Sequence, residues 1–185
     1  MAPMEVTVIP VTRFRQNCSL LRCPSTNRGA IVDPGGDLDE ILKVVRRVGA
    51  KVDKIFITHG HLDHAGAASA LASCLKVSVE GPNEEDRFII DGIPAQAAYY
   101  GVQGDSFSPD RWLVEGDTLS FGEQQLEVLH CPGHTPGHLA FLNRTASYCL
   151  VGDVLFKGSV GRSDLPCGSH DDLVRSIRKK LFPLG

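Results

Sequence analysis

Apolar and polar residues alternate from Glu5 to Val11 (EVTVIPV), the period-two pattern of a half-buried strand. Cys18–Arg22 and Gly29–Asp33 (GAIVD) continue as two further strands, and Pro34-Gly35-Gly36 stops the run. The period then changes. Ile41, Leu42, Val44, Val45 and Val48 form the apolar stripe of a helix that begins at Asp37 and closes at Gly49. Asp37 is expected to cap that helix, with Glu40 three residues on completing a capping box. Lys51–Thr58 (KVDKIFIT) reads as a strand that ends directly at a His-rich loop. Ala65–Leu75 reads as a short helix and Val77–Glu80 as a short strand.

The segment Pro82–Arg111 has no clear period and mixes Glu84, Glu85, Asp86 and Arg87 with Ile89, Ile90, Tyr99 and Tyr100. Loops and short helices are expected there, either bordering a pocket or elaborating the surface. Thr118–Phe121, Gln125–His130, His138–Leu142 and Ser147–Val151 then read as four strands separated by Gly-, Pro- or Asn-containing turns. A last helix follows Ser169, with Leu173, Ile177 and Leu181 on one face and Arg175, Arg178, Lys179 and Lys180 on the other. This order suits a layered α/β protein whose helices cover the outside of one or two sheets.

Composition narrows the picture. A length of 185 residues fits a single domain spanning 1–185, and 42% hydrophobic with 22% charged residues suits a real core. The net charge of -3 and pI near 6.1 give no basic face for nucleic acid or anionic lipid. No stretch approaches the ~20 apolar residues of a membrane span, and Met1–Pro10 lacks a secretory pattern. Cys18, Cys23, Cys74, Cys131, Cys149 and Cys167 form no CxxC pair, so a thiolate zinc knuckle is not expected. Free thiols in a reducing cytoplasm are the expectation. Cys131 stands apart only by lying three residues before His134. No sequence pattern sets an oligomeric state.

The chemistry concentrates in Thr58-His59-Gly60-His61-Leu62-Asp63-His64, which holds four potential ligands within six residues. A strand ending at Thr58 lets His59 and His61 project the same way, because alternate residues share a side. Asp63 and His64 then open the next helix, with Asp63 able to cap it. Two metals side by side are one arrangement, the first on His59 and His61, the second on Asp63 and His64. Imidazole and carboxylate suit zinc, iron or manganese rather than calcium. A second segment, His130-Cys131-Pro132-Gly133-His134-Thr135-Pro136-Gly137-His138, forms a tight loop after a strand, and one of its three His can complete the first set. The third, Val151-Gly152-Asp153, ends a strand in a carboxylate that can bridge two ions, although an Asp there is more commonly a turn or cap residue.

HGHLDHAGAA, GHTPGH and GDVLF occur in the order and spacing of the metallo-β-lactamase superfamily, which this chain resembles. The start (VTRFRQNCSLL…IVDPGGD) and GDVLFKGSVGRSDLP resemble more narrowly the short, single-domain bacterial hydroxyacylglutathione hydrolases of the glyoxalase II type. The likeness runs from about Val6 to the last residue. It implies an αββα sandwich of two mixed β-sheets with helices on the outer faces and metals at one edge. It further implies that His59, His61 and His134 bind the first metal, that Asp63 and His64 bind the second, and that Asp153 bridges. His138 would be structural or support a ligand, and His130 has no assigned role. His170, opening the last helix, reads as a cap or surface residue. The family adds a third His to the second metal from beyond the last helix. The residues here end at Phe182-Pro183-Leu184-Gly185, so a shortened C-terminal portion or a weak second site is expected, with a single ion at the first site as one possible state.

A catalytic zinc-type site keeps a position open for water and lowers its pKa from 15.7 to ~7, which supplies hydroxide without a Ser or Cys nucleophile. The expected function is hydrolysis of a small-molecule thioester such as S-lactoylglutathione by a metal-bound hydroxide, with one or two zinc ions as cofactor and Asp63 orienting the nucleophile. A mononuclear Fe(II) persulfide dioxygenase is the alternative, since Gly161-Arg162-Ser163-Asp164 resembles that branch as well. β-Lactam hydrolysis ranks lower, because lactamases of this fold usually carry another residue where Asp153 stands. A non-catalytic metal-binding protein is the remaining reading. Arg162 is a candidate for pairing with a substrate carboxylate; a surface or ion-paired Arg is the alternative. Two-domain glyoxalase II enzymes use Lys and Tyr where this chain has Arg162 and Asp164, which puts glutathione recognition in doubt.

Overall fold

The computed structural model describes residues 2–185. Strands β1 (Glu5–Val11), β2 (Gln16–Arg22), β3 (Arg28–Val32), β4 (Lys51–Phe56) and β5 (Ser78–Glu80) form one sheet in that order. The pairs β1–β2 and β2–β3 are antiparallel, whereas β3–β4 and β4–β5 are parallel. The parallel steps follow from the helical crossovers: α1 (Leu38–Val48) between β3 and β4, and α2 (Leu62–Ala65) with α3 (Ala68–Leu75) between β4 and β5. A second sheet holds β6 (Thr118–Phe121), β7 (Gln124–His130), β8 (Leu139–Asn143) and β9 (Tyr148–Leu150). Only the first sheet is mixed. All pairs of the second are antiparallel, since its strands are joined by turns too short for a crossover.

The strand alternation sorts side chains into three layers. Leu20, Ile31 and Ile55 face α1 and α3, packing with Ile41, Val44 and Leu71. Their neighbours Leu21, Ala30, Val32 and Phe56 point the other way, into an inter-sheet core with Leu126, Val128, Leu139 and Phe141. Leu129, Ala140 and Leu142 face outward again, under Leu173, Ile177 and Leu181. Those last three belong to α6 (His170–Ser176) and its π-helical continuation Ile177–Leu181. Helix, sheet, sheet, helix is the αββα sandwich that the resemblance implies.

Several elements differ from expectation. Asp37 does not cap α1: its backbone is left-handed (φ 51°), whereas a capping residue needs the extended region. Its carboxylate instead accepts the Thr12 N–H at 2.6 Å. The expected helix Ala65–Leu75 is two helices, broken where the Ala67 N–H turns to the Pro34 carbonyl. His61, not Asp63, occupies the N-cap position of α2, and no side chain caps it. Pro82–Arg111 contains a 3₁₀ turn at Glu84–Asp86, α4 (Arg87–Asp91) and α5 (Ile93–Tyr100). A small hairpin of β10 (Leu155–Phe156) and β11 (Ser159–Val160) follows β9 and was not expected. Among the described residues no helix is long and apolar enough to cross a membrane.

Candidate metal centre

Parallel pairing of β3 with β4 sets Val32 opposite Phe56 and so delivers Asp33 and Thr58 to one sheet edge. The Leu139 N–H, at the start of β8, donates to the Thr58 carbonyl at 2.8 Å and ties the second sheet to the same edge. The His59–His64 loop and the His134 loop therefore meet there.

Asp33 is buried and organises the first loop. Its Oδ1 accepts the Thr58 N–H and its Oδ2 the Thr58 hydroxyl, each at 2.7 Å. With its proton committed to Asp33, Thr58 Oγ1 can only accept from His59 Nδ1, 3.0 Å away. His64 Nδ1 donates to the same Asp33 Oδ2 at 3.0 Å. One carboxylate thus orients the rings of His59 and His64 through their Nδ1 sides and turns both Nε2 atoms away from it. Across the gap, His134 Nδ1 donates to the Arg162 carbonyl at 2.7 Å, which leaves its Nε2 as a lone pair. His61 Nδ1 faces that Nε2 at 3.0 Å.

Two sets of ligand atoms result, His59/His61/His134 and His59/His64/Asp153, each with all atoms within 4.8 Å of one another. His59 Nε2 and His64 Nε2 are buried without a hydrogen-bond partner. Orphaned imidazole nitrogens cost ~1–3 kcal/mol each in a dry interior, and several converging on one point fit a divalent ion. Charge agrees with this. Burial, and then the neighbouring imidazoles, hold His59 well below the ordinary histidine pKa and His61 at about 3, and burial also lowers His134. These rings are therefore neutral, the form that ligates. Burial alone would lower His64 too, but Asp153 and Asp33 on either side raise it well above the usual value.

Asp153 follows β9 at a turn where Gly152 has φ 48° and where a Cβ would lie 2.7 Å from the His138 ring. Its Oδ1 lies 3.2 Å from His64 Nε2 and its Oδ2 3.6 Å from His134 Nε2, one oxygen toward each ligand set. Burial pushes its pKa up, but His64, His134 and His138 outweigh this and bring it to about 2.

The structure regroups the sequence-derived ligands. His59 belongs to both sets rather than to the first alone. Asp63 falls outside both; its Oδ2 is 3.9 Å from His64 Nε2, and its side chain is partly exposed toward the cavities. Arg162 is exposed, reaches the cavity wall and donates through Nε and Nη2 to the Asp164 carboxylate, each at 2.8 Å. His138 is fully buried, stacks on His59 at 4.6 Å and accepts the Asp153 N–H. His130 donates to the Pro136 carbonyl at 2.8 Å. Cys131 sits in the α6 core with its thiol pushed by burial to about 12, and takes no part in the site.

Sequence reasoning missed Asp33 and Asp86. The buried Asp86 carboxylate accepts from Gly60 N–H (2.8 Å), the Thr135 hydroxyl (2.8 Å) and Gly137 N–H (2.7 Å), joining the two ligand loops. Burial raises its pKa to about 6, the three donors opposing. At neutral pH it is the carboxylate its three donors require.

Comparison with known proteins agrees with this geometry. The sequence profile of the metallo-beta-lactamase superfamily matches residues 11–183. Hydroxyacylglutathione hydrolase GloC of Haemophilus influenzae is 43% identical over 183 residues, covering 98% of this chain and 86% of that protein. Among solved structures, the BLEG-1 B3 metallo-beta-lactamase superposes with a TM-score of 0.89 at 29% identity, covering 98% of this chain and 87% of its own. TTHA1623, solved in a di-iron-bound form, does so with a TM-score of 0.84 at 31% identity, covering 94% and 85%. A profile match across nearly the whole chain, on a fold that gathers its histidines at one sandwich edge, places this protein in the metallo-beta-lactamase superfamily.

Proposed function

We propose that the protein hydrolyses a thioester such as S-lactoylglutathione. The observation that carries the reading is the convergence of neutral imidazoles and Asp153 on the wall of a cavity of about 730 Å³. The 43% identity to a protein named hydroxyacylglutathione hydrolase supports the thioester as substrate. In this reading His59, His61 and His134 hold the first ion, Asp63 and His64 the second, and Asp153 lies between them. When bound, zinc, iron or manganese would supply Lewis acidity toward the carbonyl and toward water.

The chain's own residues do the rest. Asp63, facing the cavity, orients the attacking water and accepts its proton. Water adds to the carbonyl carbon, the C–S bond breaks, and acid and thiol leave. A thiolate of pKa ~8.5 departs with little acid assistance. Asp33, Asp86 and His138 keep the ligands in place before substrate arrives.

A second reading has its own observation. His59, His64 and Asp153 form a set of two His and one carboxylate, the ligand type of mononuclear non-haem iron oxygenases. The deciding experiment loads purified protein with zinc or iron and offers S-lactoylglutathione, glutathione persulfide and a cephalosporin. Loss of thioester absorbance by the zinc form supports the proposal. Oxygen uptake with persulfide by the iron form, without thioesterase activity, would replace it, and cephalosporin hydrolysis alone would point to a lactamase.

A further inference from the structure

His134 is oriented by a group outside its own loop. Its Nδ1 lies 2.7 Å from the main-chain carbonyl of Arg162. A carbonyl oxygen can only accept, so in a neutral ring that nitrogen carries the proton and Nε2 carries the lone pair. The consequence reaches a second histidine. His61 Nδ1 faces that lone pair at 3.0 Å, so it is the donor of the pair and holds its own proton. One backbone oxygen therefore sets the proton positions of two of the three histidines in the first set.

That oxygen belongs to a segment that leaves the centre and returns to it. From Asp153 the chain runs outward through the largely exposed hairpin of β10 and β11, then comes back at Gly161. Gly161 is buried, and its N–H donates to the Val154 carbonyl at 3.2 Å. A Cβ on it would lie 1.7 Å from the Asp153 carbonyl oxygen and 3.6 Å from His134 Cβ. Its φ is outside the left-handed region, so close approach, not backbone conformation, is what requires glycine here. Further on, the Ser169 N–H donates to the carbonyl of Gly133, the neighbour of His134 in sequence, at 2.8 Å. The segment grips the His134 loop twice, at the ring through Arg162 and at the backbone through Gly133.

Side chain and main chain of Arg162 have separate surroundings. The guanidinium reaches the cavity wall and Asp164, whereas the carbonyl faces back to His134. A substitution of the side chain therefore leaves the oriented histidine with its partner.

We propose that the Gly161–Arg162 turn is the positioning element of the first ligand set, the Arg162 carbonyl fixing the His134 ring so that Nε2 is the atom offered to the ion. Gly161 lets that carbonyl come close enough. Arg162 is thereby a positioning residue through its main chain. The inference rests on His61 and His134 as ligands, concerns no substrate, and so goes beyond the thioester reading without depending on it.

The test reads the histidine tautomers of isotope-labelled, metal-free protein by long-range proton–nitrogen correlation NMR. His134 and His61 are both expected as Nδ1–H tautomers. Zinc affinity by chelator competition is the second readout, and neither involves turnover. Gly161→Ala should displace the carbonyl, leave His134 a mixture of tautomers and weaken zinc binding by roughly 10–100-fold, as loss of an orienting partner does. Arg162→Ala keeps the carbonyl, so tautomer and affinity should stay as in the wild type. Circular dichroism and thermal unfolding show whether each variant folds; if Gly161→Ala does not, the wild-type tautomers and Arg162→Ala decide alone. An Nε2–H His134 in the wild-type protein would overturn the proposal. So would a Gly161→Ala variant that binds zinc normally, or one that loses zinc while His134 keeps its tautomer, since the displaced Asp153 would then be the cause. A comparable loss in Arg162→Ala would move the role to the guanidinium and overturn it as well.

Discussion

His138 Nε2 accepts the backbone N–H of Asp153 at 3.0 Å, so a fully buried histidine that faces the ligands holds the one carboxylate lying between both sets. The same ring stacks on His59. Removing it frees the Gly152–Asp153 turn and leaves a void against His59. His138→Ala should weaken zinc binding by roughly 10–100-fold, the usual cost of losing a residue that orients a ligand. Chelator competition measures this, and unchanged affinity would show that Asp153 is held by its turn alone.

Asp33 offers a cleaner substitution than most buried carboxylates. Its φ of 53° suits Asn, so Asp33→Asn changes hydrogen bonding without adding backbone strain. An amide can still accept the Thr58 N–H but presents N–H to the Thr58 hydroxyl and to His64 Nδ1. The loss of two buried hydrogen bonds predicts about 2 kcal/mol of destabilisation in the metal-free protein. Urea unfolding is the measurement. Because His59 and His64 both lose the partner that fixes their ring orientation, metal binding should weaken as well, which a purely structural Asp33 would not explain.

Asp86 bridges the ligand loops across 51 residues of chain, from Gly137 back to the 3₁₀ turn. Asp86→Ala strands three buried donors and should cost roughly 3 kcal/mol or more. Asp86→Asn retains part of the acceptor set and should cost less. Denaturant midpoints rank the two, and a wild-type midpoint for the alanine variant would mean that water replaces the carboxylate.

The contrast between these residues and the histidines shows what local sequence carries. The bounds of β1 were legible to the residue, although burial alternates only at its end, where Ile9 and Val11 are buried and Val8 is exposed. The His59–His64 cluster was legible because ligands lie close in sequence as well as in space. Asp33 ends an apolar strand, and its partners Thr58 and His64 lie 25 and 31 residues on. Asp86 sits among Glu84, Glu85 and Arg87, a run that reads as solvated surface; its burial is created by a distant loop. Asp37 has a capping residue's composition but a left-handed backbone. The strands β10 and β11 are too short to show any period. For Asp33, Asp37 and Asp86 a long-range contact overrode the local signal.

Glu115 supplies a pH-dependent clamp away from the metal centre. Its carboxylate accepts the His130 N–H at 2.5 Å and pairs with Lys180 at 2.8 Å, pinning the π-helical turn after α6 to the end of β7. Partial burial raises its pKa, but Lys180 and the His130 N–H outweigh this and leave it below the ordinary value of 4.5. A depressed carboxyl contributes stability above its unfolded pKa and loses it as pH falls through the folded value. Glu115 is half exposed, so Glu115→Gln should cost no more than about 1 kcal/mol at pH 7. The deficit should shrink on acidification below pH 4.5. A deficit constant with pH would assign the effect to the amide's geometry instead of to charge.

Asp63 and His61 separate ligation from catalysis. His61 belongs to the first set, so His61→Ala should abolish tight binding there and all turnover with it. Asp63 lies outside both compact sets, 3.9 Å from His64 Nε2 and open to the cavity. Asp63→Asn should leave the first ion bound, weaken the second, and lower kcat by roughly 10²–10⁴-fold through loss of the proton acceptor. Metal stoichiometry and the visible spectrum of the cobalt-substituted protein follow occupancy independently of turnover. If Asp63→Asn lost both ions and its cobalt spectrum together, Asp63 would be a shared ligand of the centre, and its role as the base would lose its support.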